Sequence, residues 1–117
     1  MFNYFRSLKD NKWYFHLIDN NYEIILASSE GYSTKYGCMK GIASVKRNGN
    51  IESRFRLFTG NDERYYFSLF AKNGQCIGRS QGYATSTVRK KCLVNCMREI
   101  KRSKPIYKSH DNKKHPV

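Results

Sequence analysis

Apolar positions in this chain alternate with a period of two, change to a spacing of three and four, and then do both again in the second half. Residues about 2–9 and 12–19 are aromatic and rich in strand formers, with the turn-forming pair Asp10-Asn11 between them. Asn20-Asn21 then leads into Glu23-Ile24-Ile25-Leu26-Ala27. Alternation broken by turn residues predicts three consecutive antiparallel strands. After Gly31-Tyr32, Ser33 or Thr34 is suited to cap a helix in which Cys38, Met39, Ile42 and Val45 recur at helical spacing, and the helix should end before Asn48-Gly49.

The second half repeats this order. Arg54 to Phe58 alternates basic and apolar positions, Gly60-Asn61-Asp62 turns the chain, and Tyr65 to Phe70 forms a second aromatic strand. The Asn73-Gly74 hairpin signal leads to a strand over 75–80. A helix is predicted from about Thr85 to Arg102. On a helical wheel Cys92, Leu93, Cys96, Met97 and Ile100 fill one broad arc, and Lys90, Lys91, Arg98, Lys101 and Arg102 fill the opposite one. Pro105 stops this helix, Ile106-Tyr107-Lys108 reads as a short closing strand, and the polar, charged residues 109–117 read as a disordered tail.

The two halves are copies of one unit. Trp13-Tyr14-Phe15-His16-Leu17-Ile18 answers to Tyr65-Tyr66-Phe67-Ser68-Leu69-Phe70 at an offset of 52, and Ser29-Glu30-Gly31-Tyr32 answers to Ser80-Gln81-Gly82-Tyr83 at 51. The first copy therefore carries one extra residue near Ser28-Ser29. A unit this short cannot cover its own apolar face and needs its partner. The expected architecture is α+β: two tandem ββ(β)α repeats with pseudo-twofold symmetry, an antiparallel sheet packed against two helices, and one domain over 1–108 divided near residue 50. Its core should include Phe15, Leu17, Ile42, Val45, Phe67, Leu69, Leu93 and Cys96.

These motifs resemble those of the YegP-like family, small proteins of one or two such repeats. The resemblance rests on the aromatic strand Tyr65 to Leu69, on Asn73-Gly74, on Ile77 to Tyr83, and on the helical segment Gly41-Ile42-Ala43-Ser44-Val45-Lys46. It covers roughly residues 2–108 and implies an α+β fold with pseudo-twofold symmetry. The family's function is uncharacterised, so the resemblance brings no catalytic residues with it. This chain departs from the pattern at Asn21-Tyr22, where the family favours Asn-Gly, and at Cys92-Leu93, where it favours Gly-Ile.

Charge points to a partner. The chain has 22 Lys and Arg against 9 Asp and Glu, a formal charge of +13, and the excess lies mainly after residue 60. Such a balance implies an anionic partner, with nucleic acid foremost and anionic membrane surfaces or acidic proteins behind it. The basic arc of the second helix, continued by Lys104 and Lys108, is the predicted contact surface. Arg54 and Arg56 are expected to share one strand face, with Tyr14, Tyr66 or Tyr107 available to stack on unpaired bases. The competing class is a protein-interaction or assembly module that recruits an acidic partner through its surface or a free strand edge.

Other chemistries find no footing in the sequence. No run is long and apolar enough for a membrane span, and the first residues lack the apolar segment of a secretory signal, so the expected location is cytoplasmic. Cys38, Cys76, Cys92 and Cys96 form no CxxC pair, and His16, His110 and His115 are poorly placed to complete a metal site around Cys92 and Cys96. The thiols are read as reduced core residues. Asp62-Glu63 is a solvated turn, no nucleophile and base can be assembled, and neither catalysis nor a cofactor is expected. Arg89 falls inside the apolar arc of the second helix at the position that Cys38 holds in the first. It either snorkels to solvent or reaches into a groove between the repeats.

Overall fold

The computed structural model describes residues 1–103 and the backbone of residues 108–110. The first copy comprises β1 (Phe2–Arg6), β2 (Trp13–Ile18), β3 (Ile24–Ala27) and α1 (Lys35–Asn48). A short 3-10 turn at Glu52–Arg54 leads to the second: β4 (Phe55–Thr59), β5 (Tyr65–Phe70), β6 (Cys76–Arg79) and α2 (Ser86–Arg102). The last strand is β7 (Lys108–His110). All strands join one sheet in the order β4-β5-β6-β3-β2-β1-β7. Six of them are antiparallel, and the copies meet in the middle, where Ala27 lies opposite Arg79.

Strand pleat decides which residues are buried. In β1 and β2, Phe2 pairs with Leu17 and Tyr4 with Phe15; in β4 and β5, Phe55 pairs with Leu69 and Leu57 with Phe67. Because paired residues share a face, these positions form one apolar surface. Ile42, Val45 and Cys38 of α1 and Cys96 and Ile100 of α2 pack with them into a single core containing residues of both copies. Fully burying a large apolar side chain is worth about 1.5–3 kcal/mol, and Phe2, Phe15, Phe67, Leu26 and Ile100 are all at 0% exposure. The other face of the sheet carries Phe5, Tyr14, His16, Arg56, Phe58, Tyr66, Ser68 and Arg79, and among the described residues no helix covers it.

Both helices start on the threonine that their sequences offer. Thr34 accepts from the Gly37 amide at 2.9 Å and Thr85 from the Val88 amide at 3.1 Å, satisfying donors that no intrahelical carbonyl reaches. Ser28 and Ser80 accept in the same way from the amides of Phe15 and Phe67, so the copies still run at an offset of 52 there. The extra residue of the first copy therefore follows Ser28. Ser29 turns its hydroxyl across the twofold to the Cys76 carbonyl at 2.7 Å.

Three sequence expectations change. Leu93 is only half-buried, packed against the edge of the core, while Ile100, about two turns further along the same side of the helix, is fully buried. The described strand β7 covers Lys108–His110 and runs parallel to β1, with Asn3, Tyr4 and Phe5 facing Lys108, Ser109 and His110. Ser109 and His110, read as tail, thus belong to the sheet, because their backbone groups satisfy the edge of β1. Ile106, Tyr107 and residues 111–117 lie outside the described residues.

Candidate functional site

The predicted basic arc of α2 exists as drawn. Lys90, Lys91, Arg98, Lys101 and Arg102 are all exposed, while Cys96, Glu99 and Ile100 are buried on the opposite side. Lys101 and Arg102 lie in the last turn, where cations favour the negative end of the helix dipole. Arg102 is partly engaged, its guanidinium 3.5 Å from the Glu99 carboxylate. Alongside, α1 exposes Lys35, Lys40 and Arg47. Its sequence contains no acidic residue, and the single one in α2, Glu99, is 7% exposed. The outer faces of both helices therefore present cations without exposed carboxylates.

The remaining predicted contacts separate. Arg54 does not share a strand face with Arg56, since it belongs to the 3-10 turn preceding β4. Its guanidinium points back to α1, donating to Asn48 Oδ1 at 2.5 Å. Asn48 is itself fixed, its amide donating to the Ser44 carbonyl at 2.8 Å. Arg56 lies on the uncovered sheet face, over the Phe70 ring at 4.3 Å. Lys104 lies outside the described residues, and for Lys108 only the backbone is described, in β7.

Tyr14 and Tyr66 are half-buried and already engaged. Their phenols donate to the carboxylates of Asp10 and Asp62, which holds both carboxyls below their usual range and both phenols above theirs. These pairs explain the glycine of the repeated Gly-Tyr: a Cβ on Gly31 would come within 2.7 Å of Tyr14 Oη, and one on Gly82 within 2.8 Å of Tyr66 Oη. The matching acid-to-tyrosine spacing of the two copies was the available signal. Arg89 lies over the Tyr65 ring at 5.2 Å and donates to the Phe58 carbonyl at 3.3 Å, so it bridges α2 to its own repeat and not to a groove between repeats.

Sequence reasoning missed Arg79. It sits on the uncovered face over the Phe58 ring at 5.7 Å, and Phe58 stacks on Tyr66 with centroids 5.2 Å apart. Strand register alone brings Arg79 beside Ser68, and then toward Arg56 on the next strand. Also missed was a groove of about 550 Å³ between α1 and the turn joining β5 and β6, into which Lys40, Arg47, Arg54 and Lys72 face.

The thiols are set by burial. Cys38 and Cys96 are fully buried, and loss of solvation pushes both thiols up to about 12. Among the described residues no three His, Cys, Asp or Glu side chains gather closely enough to hold a metal ion. Nor, among them, is any helix long and apolar enough to cross a membrane.

A sheet of two fused copies with both described helices packed on one face defines a tandem-repeat α+β protein. The chain belongs to the family described as a domain of unknown function, DUF1508, whose model matches it twice, at residues 9–55 and 61–103. It is 45% identical over 80 residues to the UPF0339 protein YegP of Escherichia coli strain K12, covering 68% of this chain and 72% of that one. To YegP of Yersinia pestis it is 39% identical over 93 residues, covering 80% and 82%. The solution NMR structure of the E. coli protein of unknown function yegP superimposes with a TM-score of 0.84 at 35% identity, covering 94% of this chain and 91% of that one. A UPF0339 protein of Shewanella oneidensis gives 0.83 at 32% identity, covering 97% and 95%. The family is uncharacterised in function, and the YegP-like fold is the one the repeats imply.

Proposed function

We propose that the protein is a non-catalytic cytoplasmic binding protein that holds nucleic acid by its phosphates, without sequence readout, on the outer faces of α1 and α2. The observation that carries this is the absence of any exposed carboxylate on either helix beside Lys35, Lys40, Arg47, Lys90, Lys91, Arg98, Lys101 and Arg102. An ordinary solvated helix mixes both signs, and a one-sign surface concentrates a polyanion. Phosphate contacts position a strand but carry no sequence information.

Titration with oligonucleotides of unrelated sequence over a range of salt tests this. Five phosphate contacts would give a log–log slope of roughly −4.5 on duplex DNA and about −3.5 on a single strand. Replacing Lys90, Lys91 and Arg98 with Gln should weaken all sequences alike and make the slope shallower. Arg102 is left alone because it neutralises Glu99. Unchanged affinity in the folded variant would remove α2 from the interface. Failure of the parent to bind at low salt would leave the second reading, a protein-interaction module for an acidic partner. That reading is favoured by the outer strand β4, where Leu57 is 54% and Phe58 36% exposed.

A further inference from the structure

Comparing the two copies position by position isolates one place where they have diverged in charge. By the repeat, the groove between α1 and the β5–β6 turn corresponds to the place where α2 meets the β2–β3 turn, and the backbone bonds of the two turns match. Ala71 donates to Gln75 as Asp19 does to Glu23, and Gly74 to Ala71 as Tyr22 does to Asp19. Lys40 and Arg47 have cationic counterparts, Lys91 and Arg98. Elsewhere the charges part: Asn48 becomes Glu99, Ala71 becomes Asp19 and Lys72 becomes Asn20, while the position of Arg54 is occupied in sequence by Pro105. In the second copy Glu99 and Asp19 both lie close enough to the Met1 ammonium to favour its charged form, although burial outweighs them and lowers its pKa. The second copy thus has two carboxylates where the first has the neutral Asn48 and Ala71, and the first has the cations Lys72 and Arg54 where the second has Asn20 and Pro105.

We infer that the groove of the first copy is a binding site for a small phosphate ester, of the size and charge of a nucleoside polyphosphate. The groove's volume, about 550 Å³, lies within the usual range of ligand sites. Arg54 is pre-positioned by its bond to the buried Asn48, so little side-chain freedom remains to be lost on binding. Three of the last four carbonyls of α1, which would repel an anion, are occupied: Val45 by the Gly49 amide, Lys46 by the Asn50 side chain and Asn48 by the Ile51 amide. Tyr32, pushed up to about 12 by burial, keeps its proton and offers a donor at the groove wall. Glu30 stands near the turn, held by the Gln75 side chain at 3.2 Å. Its counterpart in the second copy is Gln81, whose side-chain amide donates to the Ile24 carbonyl at 3.4 Å.

The test is calorimetric titration of the whole protein with ATP, with inorganic tripolyphosphate and with a single-stranded oligonucleotide lacking terminal phosphates, alongside amide chemical-shift mapping. ATP and tripolyphosphate should saturate one site, with shifts centred on Ser44, Asn48 and Lys72. The double variant Arg47→Gln/Arg54→Gln should lose at least tenfold in affinity. So should Lys40→Gln/Lys72→Gln, which alters only exposed residues and leaves the Arg54–Asn48 bond in place. The α2 variant Lys90→Gln/Lys91→Gln/Arg98→Gln should bind ATP as the parent does, which separates this site from the α2 part of the proposed strand-binding face; Lys40 and Arg47 belong to both. No saturable binding at millimolar ATP overturns the inference, as does equal weakening by the α2 variant. Binding of the oligonucleotide without either small phosphate overturns it too, while leaving the strand-binding reading standing.

Discussion

Leu26 and Gly78 occupy the same position in the two copies, opposite Leu17 and Leu69 respectively, and they meet each other across the pseudo-twofold. A Cβ on Gly78 would lie 2.8 Å from Leu26 Cδ2 and 2.9 Å from its Cγ. Two leucines cannot occupy both positions, so the repeat resolves the conflict as one large and one absent side chain. Gly78→Ala should therefore destabilise the protein by about 1–3 kcal/mol through overpacking. Leu26→Ala alone should cost about 2–5 kcal/mol by leaving a cavity. Combining them should cost less than the sum, with a coupling of about 0.5–3 kcal/mol measured by urea denaturation of all four proteins. Simple additivity would show that the two sites do not touch.

Lys46 of α1 reaches into the end of α2, donating to the Ile100 carbonyl at 2.7 Å and to the Ser103 carbonyl. Its equivalent in the second copy is Met97, so the contact has no twin. A cation on helix-terminal carbonyls combines a charged hydrogen bond with the dipole. Lys46→Met should lower stability by about 1.5–3 kcal/mol, the scale of hydrogen bonds to charged groups. It should also increase hydrogen exchange in the last turn of α2 before that of α1. An unchanged denaturation midpoint would show the contact to be energetically idle.

The architecture was legible because period and punctuation agreed. Alternation at Tyr65 to Phe70, the cap at Thr34 and the repeated Gly-Tyr each pointed to the same elements, and α2 covers nearly the residues its periodicity gave. What sequence could not give was anything decided between distant strands. Arg54 and Arg56 look like strand neighbours until a 3-10 turn ends between them, and the pairing of β7 with β1 depends on a parallel contact over a hundred residues apart. The groove was invisible for the same reason, since its cations come from α1, the following turn and a hairpin of the other copy.

Burial of acidic protons gives a pH dependence with a definite sign. Cys38 and Cys96 are held up to about 12 from an ordinary 9.0, and Tyr32 up to about 12 from 10.0, each chiefly by desolvation. Once unfolded, these groups ionise at their ordinary values, so above about pH 9 the unfolded state binds fewer protons than the folded one and stability falls as pH rises. Thermal midpoints should decline steadily from pH 9 toward 12. At pH 8, Cys76 and Cys92, which are half-buried, should react with a thiol reagent well before Cys38 and Cys96. Equal labelling of all four in native protein, or a flat midpoint over that pH range, would contradict this account.

The turn between β2 and β3 holds Tyr22 at φ 62°, where its equivalent in the other copy is Gly74 at φ 85°. The left-handed region places Cβ against the following carbonyl, at a cost of about 1–2 kcal/mol for an ordinary L residue. Nothing offsets that cost through packing, since Tyr22 is 83% exposed. Tyr22→Gly removes the strain but lets the unfolded chain gain freedom, which returns about 0.5–1 kcal/mol. The net effect should be a stabilisation of a few tenths to about 1 kcal/mol, within the range set by those two opposing terms. The reverse change, Gly74→Tyr, should destabilise by a similar amount, because Gly74 has open space around its Cβ position and only the backbone term remains. Urea midpoints of the two variants moving in opposite directions would confirm the backbone origin of both; a loss of stability in Tyr22→Gly would show that the exposed ring contributes packing after all.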